Sequence, residues 1–419
     1  MKKRTGLIIF LFCLMAGGIL SGKPSKAAEW NEKKMTTVKK GAFTFRAHFS
    51  KDKKKAWIYE VVVKPKKGST KTLKFPAKIK GKPVTKLGHS EELGEDEEFY
   101  SNIFDVVIEE AHDCDGYRSS MKKIGKVVIP KTVKEFTHGT FSGLHALKKV
   151  TLPAKVKELP VSLFYGCPKL KSVTLPKQLK EFTIAAFADC PSIKTMKISK
   201  SNKKIQIKKG MVLSKDSKEL YWVLPGIDKV TLPNKMEWIH TGAFGDCGVE
   251  KLMLPASVTN LEGRSLNCAT LTDVRVQAAN PLYARDGQCI YDKTNGELAV
   301  AIAKDEKVVI SSKVTELNEN SSLAGTSRLE RVDIPASVKR VVEDWMFFPD
   351  VGCKVYFHSL TPPQIVAELP GYILCRYPFA NPVYVPAAAK DAYIKWAEDH
   401  NGFPEMEKRY DPFMHLYTF

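Results

Sequence analysis

The residues in this 419-residue chain that could do chemistry are nine cysteines, nine histidines and a large excess of lysine. Cys167, Cys190 and Cys247 each stand three residues after a phenylalanine: Phe164, Phe187 and Phe244. Eight cysteines lie beyond residue 100, and an even set in an exported protein invites a disulfide framework. The shared placement points elsewhere. A free cysteine is a small apolar side chain that suits a buried position repeated from one structural unit to the next. His112-x-Cys114 is half of a metal site, but no second pair stands at ligand spacing, so no metal is expected. The acidic run EELGEDEE at 91–98 lacks the alternating acids of a calcium loop and reads as a solvated loop. His138, His145 and His240 fall in turns, where they read as polar turn residues.

No nucleophile elbow, zinc-protease helix, paired CxxC or phosphate-binding glycine loop occurs. The sequence therefore predicts a protein that is not an enzyme and has no cofactor. A hydrolase site in a groove between cap and insert is the alternative kept open, since catalytic triads are spatial and not sequential.

Charge is the other available chemistry. Lys and Arg number 66 against 46 Asp and Glu, a formal net charge of +20. Such a balance favours acidic partners. The residues that would present it come from an alternation such as LKKVTLP, in which Val150 and Leu152 turn inward and Lys149 and Thr151 outward. The outward positions predicted as a ligand-binding face are Lys149, Thr151, Ser172, Thr174, Thr195, Lys197, Lys229, Thr231, Lys251 and Arg275. The competing reading is that Lys and Thr there only keep exposed strands soluble. Tyr221, Trp222, Tyr283 and Tyr291 are a second candidate surface, for stacking on sugar rings, set against packing inside their own hairpins.

The elements that carry these residues repeat. LKKVTLPAKVKELPVSLFYGCPK is followed directly by LKSVTLPKQLKEFTIAAFADCPS, and Pro153, Phe164 and Cys167 return 23 residues later as Pro176, Phe187 and Cys190. A period in the twenties marks a solenoid whose units bury their apolar faces against one another. Taking the proline as a ruler gives Pro130, Pro153, Pro176, Ser199, Pro233, Pro255, Gln277, Ser311 and Pro335, with two long steps of 34 residues. Both long steps hold an apolar strand, a polar turn and a second apolar strand, which predicts a β-hairpin insertion. They recur about 78 residues apart and imply a higher-order duplication.

The pattern LxxVxLPxxVxxhxxxxFxxC, with h apolar, resembles the BspA-like leucine-rich-repeat family of bacterial secreted and surface proteins. The resemblance covers residues 73–88 and about 124–357. It implies a β-rich leucine-rich-repeat solenoid, with parallel strands stacked on the concave face and short turns or 3-10 segments on the convex side. Two β-hairpin insertions and end caps complete the expected fold. It also implies adhesion or binding as the function. VYVPAAAKDAYIKW at 383–396 is similar to the helical cap that closes such arrays, with Ala389, Tyr393 and Trp396 as its apolar stripe. Later repeats depart from the pattern, with Leu266, Leu323 and Met346 where Phe is expected.

The expected organisation is a signal peptide at 1–27, an N-terminal β-rich cap with an acidic insert at 28–123, the repeat array at 124–357 and a C-terminal cap at 358–419. The leader carries Lys2, Lys3 and Arg4, a short apolar run and Ser25-Lys26-Ala27, so cleavage is expected after Ala27. Its loss removes five basic residues and no acid, lowering +20 to +15. No further transmembrane segment is expected, and the protein reads as secreted or cell-surface associated. Its expected partner is a host surface or matrix protein, or an anionic glycan or wall polymer, and not nucleic acid. A cell-envelope structural protein held by charge is the alternative.

Overall fold

The computed structural model describes residues 30–63, 71–88, 123–318, 320–325, 329–342, 353–366, 382–400 and 416–419. The leader, the acidic run at 91–98, His112, Cys114, Met346 and Cys375 lie outside the described residues. The chain divides into two compact units. The first holds the described residues up to Lys215 together with Leu224–Gly226; the second holds Asp216–Val223 and everything described from Ile227 on.

The first unit begins with three antiparallel strands, Trp30–Lys40, Phe43–Ser50 and Ala56–Val63. Alternation along the second strand buries Phe43, Phe45 and Ala47. Ala56–Val63 then pairs in parallel with Lys82–Leu87, which pairs in parallel with Glu135–Phe136. Antiparallel pairing thus passes into parallel pairing within one sheet. A second sheet is parallel throughout: Thr72–Lys74, Lys126–Val128, Lys149–Thr151, Ser172–Thr174 and Thr195–Lys197.

Each of these three-residue strands buries its middle residue, Leu73, Val127, Val150, Val173 or Met196. A proline follows at Pro153 and Pro176, where a missing N–H ends the ladder. The return segment buries Val156, Leu159 and Phe164 in one unit and Leu179, Phe182 and Phe187 in the next. Neighbouring units are joined away from the strands as well: Phe164 N donates to Ala186 O at 2.8 Å and Gly166 N to Ala188 O at 3.1 Å. Gly166 stands at φ +65, a left-handed conformation that a side chain would strain. Phe141, Phe164 and Phe187 form one column of stacked rings, with centroids 5.4 and 5.7 Å apart.

The cysteines belong to this interior. Cys167, Cys190, Cys247, Cys268, Cys289 and Cys353 are buried free thiols. Cys167 Sγ donates to Phe141 O at 3.3 Å and Cys190 Sγ to Phe164 O at 3.0 Å, each reaching the preceding repeat. Where later repeats lose the phenylalanine, Leu266 and Leu323 are buried in its stead.

The second unit repeats the parallel theme, with Leu298–Ile302 beside Ser322–Ala324 and in four further sets of strands. These are Glu219–Val223 with Trp238–Ile239 and Asn260–Leu261; Lys251–Leu254 with Asp273–Val276; Lys307–Val309 through Leu416–Thr418; and Glu316–Leu317 with Arg340–Val342 and Gln364–Val366. Antiparallel pairing returns at the two long steps. In the first unit Ile205–Lys208 pairs with Met211–Ser214, and in the second Tyr283–Asp286, Cys289–Asp292 and Leu298–Ile302 follow one another antiparallel.

One asparagine opens each of these segments with the same set of bonds. Asn202 Nδ2 donates to Lys177 O and Leu179 O, while its Oδ1 accepts from Lys204 N and Ile205 N, all within 2.8–2.9 Å. About 78 residues on, Asn280 Nδ2 donates to Pro255 O and Val258 O, and its Oδ1 accepts from Leu282 N and Tyr283 N. Both side chains are buried, at 3% and 1% exposure, with amide donors and acceptor all used.

Near the C-terminus Pro386 precedes a 3-10 turn, Ala387–Ala389, and the helix Lys390–His400. Ala389 and Tyr393 are buried, and Trp396 packs edge-on against Phe357.

Candidate functional site

The outward face of the first unit's parallel sheet carries two columns, and a third borders it just before the strands begin. In register, Thr72, Lys126, Lys149, Ser172 and Thr195 form one, and Lys74, Val128, Thr151, Thr174 and Lys197 another. Backbone bonds at the preceding position link Lys71, Gly125, Lys148, Lys171 and Lys194 into a third: Lys171 N donates to Lys148 O at 2.9 Å and Lys194 N to Lys171 O at 3.0 Å. Adjacent strands lie about 4.8 Å apart, so these lysines stand on neighbouring rungs. The columns contain eight lysines and no acid, and none of the eight makes an ion pair among the described residues.

Six of the ten residues predicted from the sequence as a binding face, Lys149, Thr151, Ser172, Thr174, Thr195 and Lys197, are therefore brought side by side. The column Lys148, Lys171 and Lys194 was missed. Its signal was present, because lysine recurs at the second position of LKKV, LKSV and IKTM.

The other four predicted residues lie in the second unit and differ. Lys229 and Thr231 are exposed but stand in no strand. Lys251 sits opposite Asp273, and Arg275 opposite Met253. Acids neutralise this face. Asp273 pairs with Arg275 at 3.0 Å and also with Arg285. Asp333 gathers Lys307 at 3.0 Å, Arg331 at 2.7 Å and His358 at 2.9 Å. Burial pushes the Asp333 carboxyl up, but hydrogen bonds from Arg331, His358 and Lys307 outweigh it and hold the group well below the usual carboxylate range. Arg331 also lies 3.7 Å above the Tyr356 ring, which begins a stack continued by Tyr384 and Tyr417. Around Asp273 and Asp333 the face in this unit consists of closed ion pairs and stacked rings.

The aromatics near the long steps also separate. Trp222 is 1% exposed and belongs to the core. Tyr291 packs against the apolar cluster of the second unit. Tyr221 is half-buried at a polar cluster centred on His240, and Tyr283 is half-buried with its hydroxyl accepting from Leu261 N. The His240 ring stacks on Tyr221, centroids 4.8 Å apart, and on Trp238 at 5.5 Å. Its Nδ1 lies 3.1 Å from Glu262 Oε1 and its Nε2 2.9 Å from Glu219 Oε2. Glu262 also accepts from Trp238 Nε1 at 2.6 Å and from Thr241 N at 2.8 Å. Burial opposes charge on both partners, yet hydrogen bonding prevails: His240 is raised above its ordinary value and Glu262 is pushed down to about 2. His240 is thus an ion-paired strut between neighbouring rungs, a role that its place in a turn did not reveal.

Among the described residues no group of three or more His, Cys, Asp and Glu is placed to hold a metal. No helix among them is long and apolar enough to cross a membrane.

Short parallel strands stacked at a period in the twenties, with a buried leucine, valine or methionine in each and a phenylalanine column behind them, define a leucine-rich-repeat fold. Residues 117–209 and 223–291 match the family model described as BspA type leucine rich repeat region, in six copies. Several solved structures are similar. One is a leucine-rich cell surface protein from Faecalibacterium prausnitzii, 15% identical, matched over 74% of this chain and 91% of that one, with a TM-score of 0.38. Another is the pneumococcal vaccine antigen PcpA, 13% identical over 86% and 96% of the two chains, TM-score 0.39. A third, a leucine-rich repeat protein from Eubacterium ventriosum, is 10% identical over 85% and 94%, TM-score 0.38. No curated protein matches the chain.

Proposed function

We propose that this chain is an exported, non-catalytic binding or adhesion protein whose lysine-bearing strand face holds an anionic polymer of a host or envelope surface. On this reading residues 1–27 are a leader and 28–123 and 358–419 cap a solenoid at 124–357, with the two antiparallel segments as hairpin insertions. One observation carries the reading. Lys71, Lys148, Lys171 and Lys194, beside Lys126, Lys149, Lys74 and Lys197, stand in adjacent columns with no acid among them. Like charges on neighbouring rungs repel, and a polyanion lying across the strands relieves that repulsion. In the second unit, by contrast, the cations around Asp273 and Asp333 are ion-paired. Keeping solubility alone would not need the two faces to differ.

The experiment is binding of the mature chain to immobilised heparin and lipoteichoic acid over a salt series. The triple variant Lys148→Glu, Lys171→Glu, Lys194→Glu should lose at least tenfold in affinity, and wild-type binding should weaken steeply as salt rises. Lys229→Glu with Lys251→Glu should change little. Equal loss in both variants would reduce the effect to net charge and remove the site.

A further inference from the structure

The second unit holds a cleft of about 320 Å³ whose character is opposite to the lysine face. Its lining includes Trp238, Asn260, Tyr283, Asp292, Glu297 and Asn318, and no lysine or arginine. Trp238 is 39% exposed, unusual for the largest apolar side chain in a chain that buries Trp57 and Trp222 to 1%. It is also held in place. One side of the indole is backed by the His240 ring, itself backed by Tyr221, and Nε1 is fixed to Glu262 at 2.6 Å. With the N–H engaged, what the indole offers a ligand is its remaining ring face. Tyr283 is fixed too, since its hydroxyl accepts from Leu261 N at 3.2 Å. The Asn260 side chain and the Glu297 carboxylate, by contrast, make no hydrogen bond among the described residues.

We propose that this cleft is a carbohydrate site that takes one or two pyranose rings of a neutral or amino-bearing glycan. The C–H face of a pyranose packs on an aromatic face that is already immobile, so little side-chain entropy is lost on binding. The amides of Asn260 and Asn318 and the carboxylates of Asp292 and Glu297 are the planar acceptors and donors that hydroxyl groups require. The volume lies at the small end of ligand clefts, which suits a short or terminal unit. Carboxylates without a cation in the lining disfavour sialic and uronic acids, so this ligand differs in charge from the polymer proposed for the lysine face. The inference does not rest on that reading.

A glycan array probed with the mature chain tests it, followed by titration with the best neutral oligosaccharide while tryptophan fluorescence is read. Trp238→Ala should weaken sugar binding at least tenfold, Trp238→Phe should retain part of it, and Asn260→Ala or Glu297→Gln should each weaken it severalfold. All four should bind heparin as wild type does, which separates this cleft from the lysine face and reports that the chain is folded. If Trp238→Ala fails to fold, Asn260→Ala and Glu297→Gln decide the matter alone. Sugar binding indifferent to these variants, an array with no neutral or amino sugar retained, or preference for sialylated glycans or for a lysine-rich peptide over every sugar would overturn the proposal.

Discussion

The ring of Phe164 lies almost parallel to that of Phe187 in the next repeat, centroids 5.7 Å apart and planes 10° from each other. Both side chains are buried to 1% exposure or less. Phe164→Ala removes the middle of a three-ring column and leaves a cavity between two repeats. It should cost about 3–5 kcal/mol. Urea unfolding followed by circular dichroism measures this, and a midpoint equal to wild type would show that the column is not part of the core.

His240 gives the fold a pH dependence of known sign. Its folded-state value is raised, so its contribution is fully present below the unfolded value near 6.5 and is lost as pH rises through the raised one. Glu262, lowered to about 2, contributes above its unfolded value of 4.5 and loses that contribution only as pH falls toward 2. Unfolding midpoints measured from pH 6 to 9 should therefore decline in wild type. The decline should flatten in His240→Phe; an unchanged slope in that variant would assign the pH dependence to other groups.

Asn202 and Asn280 should prove equivalent although about 78 residues separate them. Replacing either by Ala leaves two buried N–H groups and two carbonyls without their shared partner. A loss of about 2–4 kcal/mol is expected for each. Asn280→Asp should be nearly as harmful, because a carboxylate cannot donate to Pro255 O and Val258 O. A silent Asn202→Ala in thermal unfolding would leave Asn202 without the role its bonds suggest.

Cys167 and Cys289 should be inert in the folded chain. Burial pushes the Cys167 thiol up, and burial likewise pushes Cys289 to about 11, so little thiolate exists at neutral pH. Iodoacetamide at pH 8 should label neither until urea unfolds the protein, as peptide mass spectrometry will show. Rapid native labelling of Cys167 would mean that its repeat opens locally.

Much of this was legible in the sequence, for reasons that differ by residue. Val150, Phe164 and Cys167 were readable because each occupies a fixed place in a unit, and burial repeats with the unit. The helix Lys390–His400, with buried Tyr393 and with Ala389 in the turn before it, followed from proline placement and helical spacing. Trp222 was not separable from Tyr221, since neighbouring strand residues take opposite faces and only the neighbouring elements decide which face is covered. Lys251 and Arg275 looked identical to Lys149 and Thr151 as outward strand positions. Their environments differ because Asp273 stands across from one and beside the other.

The sequence by itself determined the repeat, its strand and turn chemistry, the interior role of the cysteines and the excess of positive charge. These are local or periodic properties, and a period carries them along the chain. The tertiary structure decided which charges remain unpaired. It left Lys148, Lys171 and Lys194 in a column without acids, closed Asp333 around three cations, and set Trp238 against His240 at the edge of a cleft. Ion pairing and ring stacking act over a few ångströms, both between alternate residues of one rung, as in Arg331–Asp333 and Trp238–His240, and between rungs, as in Lys307–Asp333 and His240–Glu262. Register between rungs selects the cross-rung partners, and no single rung's sequence shows them.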